Sequence, residues 1–429
     1  MAVGTSREYA FGRQPIGQRK AKPALKQLWG EQRVMWLLGT LLGLTVGSWV
    51  GTRTKDYVAR QSRPRLIDWE RARTLAVSMN VGSRLSASDR ERLTWAYRSL
   101  VERAVPLISE YTGIAKPSAV DRVYAFDRID WIDANLESFA EVLKPFEAPQ
   151  PLPEQPAVRL GLLLWGGVNQ MIATSEVGLL LGYLARRVLG QYDVVLLGRE
   201  PLAGGQLYFV EPNIAWMEQV LRLDRADFRF WLVLHETTHA FEFECYPWVR
   251  RYLNDLIREW VRLLQEDAQA LNRVWQVLRD MPTIVRRGTQ RSWLELFMNP
   301  QQRALFHRLQ AAMAVIEGYS NLVMHAVGQS VIPSYATIVR QVERRQQQRT
   351  AAEELFARLT GLDVKIEQYQ LGEAFCRYVV EHQGHDLLRL IWRGPTYLPT
   401  LDELRVPERW IERTRRSLGA LDGAERVID

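Results

Sequence analysis

The stretch FRFWLVLHETTHAFEFE, Phe228 to Glu244, sets His235, Glu236 and His239 into an otherwise apolar run. Its spacing predicts a helix from about Asp224 to Phe243. On a helix, residues i and i+4 stand one above the other, so both imidazoles can point at a single ion. Glu236 is rotated by about 100° from His235, close enough to touch a water on that ion without binding the ion itself. Zinc accepts neutral imidazole nitrogen, and a catalytic zinc keeps three protein ligands and a fourth position for water. There a glutamate can take the water's proton and later hand it to a leaving amine. With six histidines in 429 residues, the H-E-x-x-H pattern is expected by chance only about 0.01 times. The bland alternative is a pair of core histidines satisfied by backbone carbonyls.

A third ligand has to come from elsewhere. Glu317 is the best candidate, a lone carboxylate in the apolar helical stretch AAMAVIEGYSNLVMHAVG, where an ionised group is costly unless paired or bound to metal. Gly318 beside it removes a side chain where two helices would approach. Asn321, one turn on, shares the face of Glu317 and could steady a ligand from behind. Glu242, His325, Glu373, His382 and His385 are the rivals, and Glu242 reads as a surface group or a support for His239. Tyr319, His325, Tyr335, Tyr369 and His382 could each stabilise an oxyanion, and the sequence does not choose among them. Cys245 and Cys376 lack any thiol-activating context and read as buried small hydrophobes.

Composition limits the partners. The chain is 47% hydrophobic and 24% charged, ordinary globular values. Its net charge of +7 is concentrated in the first 65 residues, where twelve basic side chains face three acidic ones. That local +9 leaves −2 for residues 66–429, so a nucleic-acid partner has no electrostatic support. Two cysteines exclude a disulfide framework and a thiolate metal site.

Residues 1–33 are polar, basic and rich in Gly, Gln and Pro, and read as a disordered tail. Then VMWLLGTLLGLTVGSWVGT, Val34 to Thr52, runs without a charge, long enough to span a bilayer core of about 30 Å as a helix. Gly39, Gly43, Gly47 and Gly51 share one face of that helix. The expectation is an N-terminal membrane anchor, with a buried or surface-lying helix as the alternative and the side of the membrane undecided. Residues 66–144 read as a helical module and 145–158 as a proline-rich linker. Residues 159–429 read as the catalytic domain, mainly α with one small β hairpin formed by DVVLL (193–197) and QLYFV (206–210).

These features resemble the zincin-like metallopeptidase family, once catalogued as a domain of unknown function and sometimes labelled as associated with deazaflavin-coenzyme biosynthesis. The likeness is carried by DWERA at Asp68, VGLLLGYLARRVLGQYD at Val177, VEPNI at Val210 and DFRFWLVLHETTHAFEFE at Asp227. It continues with IEGYSNLVMHAVG at Ile316, IPSYATI at Ile332, GLDVKIEQYQLGEAF at Gly361 and LPTLDELRVPERW at Leu398. It covers roughly residues 66–415 and leaves out the apolar stretch at 34–52. Members usually carry an acidic residue where this chain has His325. The resemblance implies a largely helical fold around zinc, with His235, His239 and Glu317 as ligands and Glu236 as catalytic base. The coenzyme label has no residue behind it here. The expectation is a zinc hydrolase acting on a peptide or protein. Its rivals are a hydrolase of non-peptide amides and a tethered helical scaffold or lapsed enzyme whose zinc is structural.

Overall fold

The computed structural model describes residues 67–115, 117, 122–144, 156–192, 205–267, 295, 298–347 and 362–425. The basic tail, the apolar stretch at 34–52, most of the proline-rich linker and the expected strand DVVLL lie outside them. The architecture is mainly α with one small sheet, as the sequence predicts.

The first helices are α1 (Trp69–Ser78), α2 (Ala87–Thr112) and α3 (Arg128–Leu143). Each begins at a residue that caps free helical N–H groups, Asp68, Ser86 and Asp127 respectively. Strand β1 (Val123–Phe126) lies between α2 and α3. Helix α4 (Pro156–Leu184) opens on a proline, whose missing N–H costs nothing in the first helical turn. Next come β2 (Gly190–Tyr192), β3 (Leu207–Val210), α5 (Glu211–Leu221) and α6 (Arg225–Glu244). The elements described after it are helices: α7 (Pro247–Glu266), α8 (Pro300–Val331), α9 (Tyr335–Gln347) and α10 (Leu362–Gln383). Short α11 (His385–Arg389) and α12 (Leu401–Arg405) lead to α13 (Pro407–Glu425).

The sheet differs from the expected hairpin. β3 is its central strand, antiparallel to β2 and parallel to β1, with Gly190 opposite Phe209 and Phe126 opposite Val210. All four β3 residues are buried, as a strand covered on both faces requires. β1 was not legible, because four residues between two strong helices give too little alternation to register.

Two apolar clusters hold the molecule. The larger combines Tyr97 and Ile108 of α2, Phe209 of β3, Phe228 and Phe241 of α6, Val315 of α8 and Phe375 of α10. The smaller joins α1, α3 and α4 through Ala76, Ile132 and Leu181. Helix α6 runs through the larger cluster with nearly every residue from Phe228 to Phe243 buried. α8 packs along both α6 and α10. A Cβ on Gly372 of α10 would lie 1.8 Å from the Ala314 carbonyl oxygen of α8, and one on Gly318 would lie 2.2 Å from the Gly372 carbonyl carbon. Backbone therefore touches backbone at this crossing, one residue from Glu317.

Candidate metal centre

Helix α6 forms because Asp224 caps it, accepting from the Asp227 N–H, and because it is buried on almost every face in the core. The i, i+4 spacing turns both imidazoles the same way: His235 Nε2 and His239 Nε2 lie 3.2 Å apart. α8 brings up Glu317, whose Oε2 is 3.6 Å from His235 Nε2 and 3.7 Å from His239 Nε2. Among the described residues this is the cluster of three ligating side chains that could hold a metal ion.

The surroundings of His239 fix its ring. Nδ1 is 2.7 Å from Glu242 Oε2 and 3.0 Å from Ser320 Oγ. A proton on Nδ1 given to Glu242 leaves the Nε2 lone pair aimed at His235 and Glu317, the tautomer a metal needs. Glu242 is 1% exposed, and its Oε1 has no hydrogen-bond partner. Burial drives the Glu242 carboxyl up, against the pull of His239, to about 7. Burial works against the His239 imidazolium, but Glu242 and Glu317 outweigh it and hold its pKa well above the ordinary value. Burial likewise opposes ionisation of Glu317, yet the two histidines hold it well below the usual carboxylate range.

Glu236 stands beside the cluster, 7% exposed. Burial raises its pKa, with His235 and His239 pulling it down, Glu317 pushing it up and the Tyr192 backbone N–H donating to it. β2 comes close enough that a Cβ on Gly190 would sit 2.9 Å from Glu236 Oε1. Glu236 is thus a buried carboxyl with a raised pKa, beside the cluster of His235, His239 and Glu317 and under a strand.

The other candidates fall elsewhere. Asn321 is half-buried, and among the described residues no hydrogen bond joins it to Glu317, His235 or His239; Ser320 and Glu242 support His239 instead. His325 hydrogen-bonds the Tyr335 hydroxyl, lies 3.7 Å from Glu373 Oε2 and feels the charge of His235, so it borders the site without joining it. Glu373 is paired with Arg377. His382 stacks on Tyr378, and His385 meets Tyr111 edge-on. Tyr319 is buried against Trp392. The Tyr369 side chain lies outside the described residues. Cys376 is buried as expected, whereas Cys245 is half-exposed with its thiol toward the Ala115 carbonyl. Of the supporting groups, Glu242 was signalled only by its three-residue spacing from His239, and Ser320 by nothing in the sequence.

The donor set fits zinc. Tetrahedral zinc with imidazole bonds of about 2.0–2.1 Å puts its nitrogens about 3.3 Å apart, and the two Nε2 atoms here are 3.2 Å apart. Two imidazole nitrogens facing each other so closely need a proton or a cation between them. Glu236, Glu242 and Glu317 add the negative charge that a divalent cation neutralises.

The zincin-like metallopeptidase family model matches residues 67–411. A crystal structure from Chloroflexus aurantiacus, described as "a putative hydrolase with a novel fold", is 39% identical over 82% of this chain and 99% of that one, with a TM-score of 0.59. No curated protein matches the chain. With a family match over most of its length and the donor set in place, the chain belongs to the zincin-like metallopeptidase family.

Proposed function

We propose that the chain is a zinc-dependent peptidase in which His235, His239 and Glu317 hold the metal and Glu236 is the general base. The carrying observation is the convergence of three potential ligand atoms, within 4.8 Å of one another, from two helices, Glu317 standing 78 residues beyond His239, beside a buried carboxyl that is not one of them. Bound there, zinc would act as a Lewis acid, polarising the scissile carbonyl and lowering the pKa of a water to about 7. Glu236 accepts that water's proton and returns it to the leaving nitrogen. Its raised pKa suits both halves of the transfer. Glu242 and Ser320 hold the His239 ring in one tautomer. Three donors rather than four among the described residues favour catalysis over a closed structural site. A peptide is favoured as substrate because the family whose model matches most of the chain is one of zincin-like metallopeptidases.

Zinc content and digestion of a fluorogenic peptide library test this reading. Glu236→Gln keeps its zinc and loses hydrolysis, whereas Glu317→Ala loses zinc. Full hydrolysis by Glu236→Gln, or a full zinc equivalent in Glu317→Ala, rejects the assigned roles. Membrane tethering is proposed on the sequence of Val34–Thr52 alone, since no described helix is long and apolar enough to cross a membrane. Deletion of residues 1–60 then moves the protein from the membrane pellet to the supernatant; a pellet unchanged by the deletion rejects the tether.

A further inference from the structure

Strand β2 meets Glu236 at two points. A Cβ on Gly190 would fall 2.8 Å from Glu236 Cγ and 2.9 Å from its Oε1. The N–H of Tyr192 donates to the same carboxylate. Neither residue can withdraw easily. Gly190 is paired with Phe209 and Tyr192 with Leu207 in the central strand.

The Tyr192 side chain then reaches along α6. It is 5% exposed, lies parallel to the Phe243 ring at 5.6 Å between centroids, and its hydroxyl donates to Glu244 at the end of the helix. The Gly205 N–H donates to the same Glu244 oxygen at 2.7 Å, and Arg250 Nη2 lies 3.3 Å from both that oxygen and the Tyr192 hydroxyl. Glu244 is eight residues beyond Glu236, about 12 Å along the helix axis. One residue of β2 thus grips α6 at Glu236 through its backbone and at Glu244 through its phenol. On the other side of Glu236, Arg229 of α6 pairs at 2.6 Å with Glu211, the residue that follows β3. The sheet is fastened to α6 on both flanks of Glu236.

We propose that β2 is a positioning strand for Glu236: Gly190 supplies the space in which the carboxyl lies, and Tyr192, anchored on Glu244 and Arg250, sets the distance between strand and helix. A glutamate has three rotatable side-chain bonds, and a catalytic group must be held within about 0.5 Å of its working position. Absence of a Cβ at 190 and an N–H from 192 meet that need from one side. The role in turnover rests on Glu236 being the base; the contact itself does not.

Gly190 is not among the described glycines with positive φ, so its backbone conformation accepts alanine, and the three atoms nearest the added Cβ all belong to Glu236. The test is a cycle of thermal unfolding midpoints over wild type, Gly190→Ala, Glu236→Ala and the double variant, all zinc-loaded and without substrate. Gly190→Ala lowers the midpoint in the wild-type background and leaves it unchanged or higher once Glu236 is truncated. In the peptide-library assay Gly190→Ala lowers kcat roughly 10- to 100-fold. Its KM stays within about twofold, and its zinc content stays at the wild-type level. Tyr192→Phe, which keeps the N–H and loses the hold on Glu244, lowers kcat by a smaller factor. An equal fall in midpoint in both backgrounds overturns the contact, and an unchanged kcat in Gly190→Ala overturns the positioning role. Hydrolysis that survives Glu236→Gln overturns the assignment of the base instead, and the substrate-free cycle separates that failure from the other two.

Discussion

Gly372→Ala is the sharpest test of how the fold places Glu317. The added Cβ would stand 1.8 Å from the Ala314 carbonyl oxygen and 2.5 Å from its carbon. Ordinary contact begins near 3.3 Å, so the α8 and α10 backbones must separate by about 1.5 Å at this point. Both are backbone atoms inside helices, so no side chain can rotate away. Overpacking of a core costs about 1–3 kcal/mol, occasionally more, and a backbone-to-backbone contact belongs at the upper end of that range. The displacement falls on Gly318, next to Glu317, and so carries the carboxylate away from the two imidazoles. Urea unfolding of the metal-free protein should show a loss of about 3 kcal/mol. Chelator competition should show weaker zinc binding in the same variant. Gly328→Ala is the control: its Cβ meets side chains, the Tyr335 ring at 3.2 Å and Ile332 Cδ1 at 3.5 Å, which can give by a few tenths of an ångström. If Gly372→Ala unfolds at the wild-type urea midpoint and binds zinc as wild type does, the two helices do not touch as described.

Three further outcomes follow from other contacts. Glu242→Ala removes the carboxylate 2.7 Å from His239 Nδ1, and zinc affinity measured by chelator competition falls about 10- to 100-fold while the fold persists; unchanged affinity refutes the support of His239. Arg229→Met removes the guanidinium that pairs at 2.6 Å with both Glu211 and Glu218, leaving Glu211 the Tyr97 hydroxyl and Glu218 the partly exposed Arg225, and lowers the unfolding free energy by about 3 kcal/mol, with urea midpoints as the check. Burial disfavours the charged form of Glu403, but its bond to Arg413, aided by Thr400, wins and lowers its pKa. The stability from this pair is therefore present above the unfolded-state pKa of about 4.3 and is lost as pH falls through the lower folded value. Arg413→Met should narrow the difference in melting temperature between pH 7 and pH 3, and an unchanged difference contradicts the sign.

The sequence disclosed the parts of the site whose geometry is local. His235, Glu236 and His239 sit on one helix, so spacing alone fixes their relation. Glu317 was legible for a different reason: an ionisable group on an otherwise apolar helix needs a partner. Gly318 pointed to a close helix approach, but not to Gly372 as the other side, because that pairing depends on the crossing of α8 and α10. Gly190 and Tyr192 were hidden at the end of VGLLLGYLARRVLGQYD, where an apolar helical run leads straight into the three residues of β2. Glu242 could not be placed from sequence, since whether a residue near the end of α6 faces solvent or core is decided by what packs around that helix.

Zinc-edge anomalous diffraction from crystals of the zinc-loaded protein tests the central claim most directly. The account predicts one peak about 2.0–2.2 Å from His235 Nε2, His239 Nε2 and a Glu317 carboxylate oxygen, with no fourth protein ligand. A peak elsewhere, or one closed off by a fourth side chain, contradicts it.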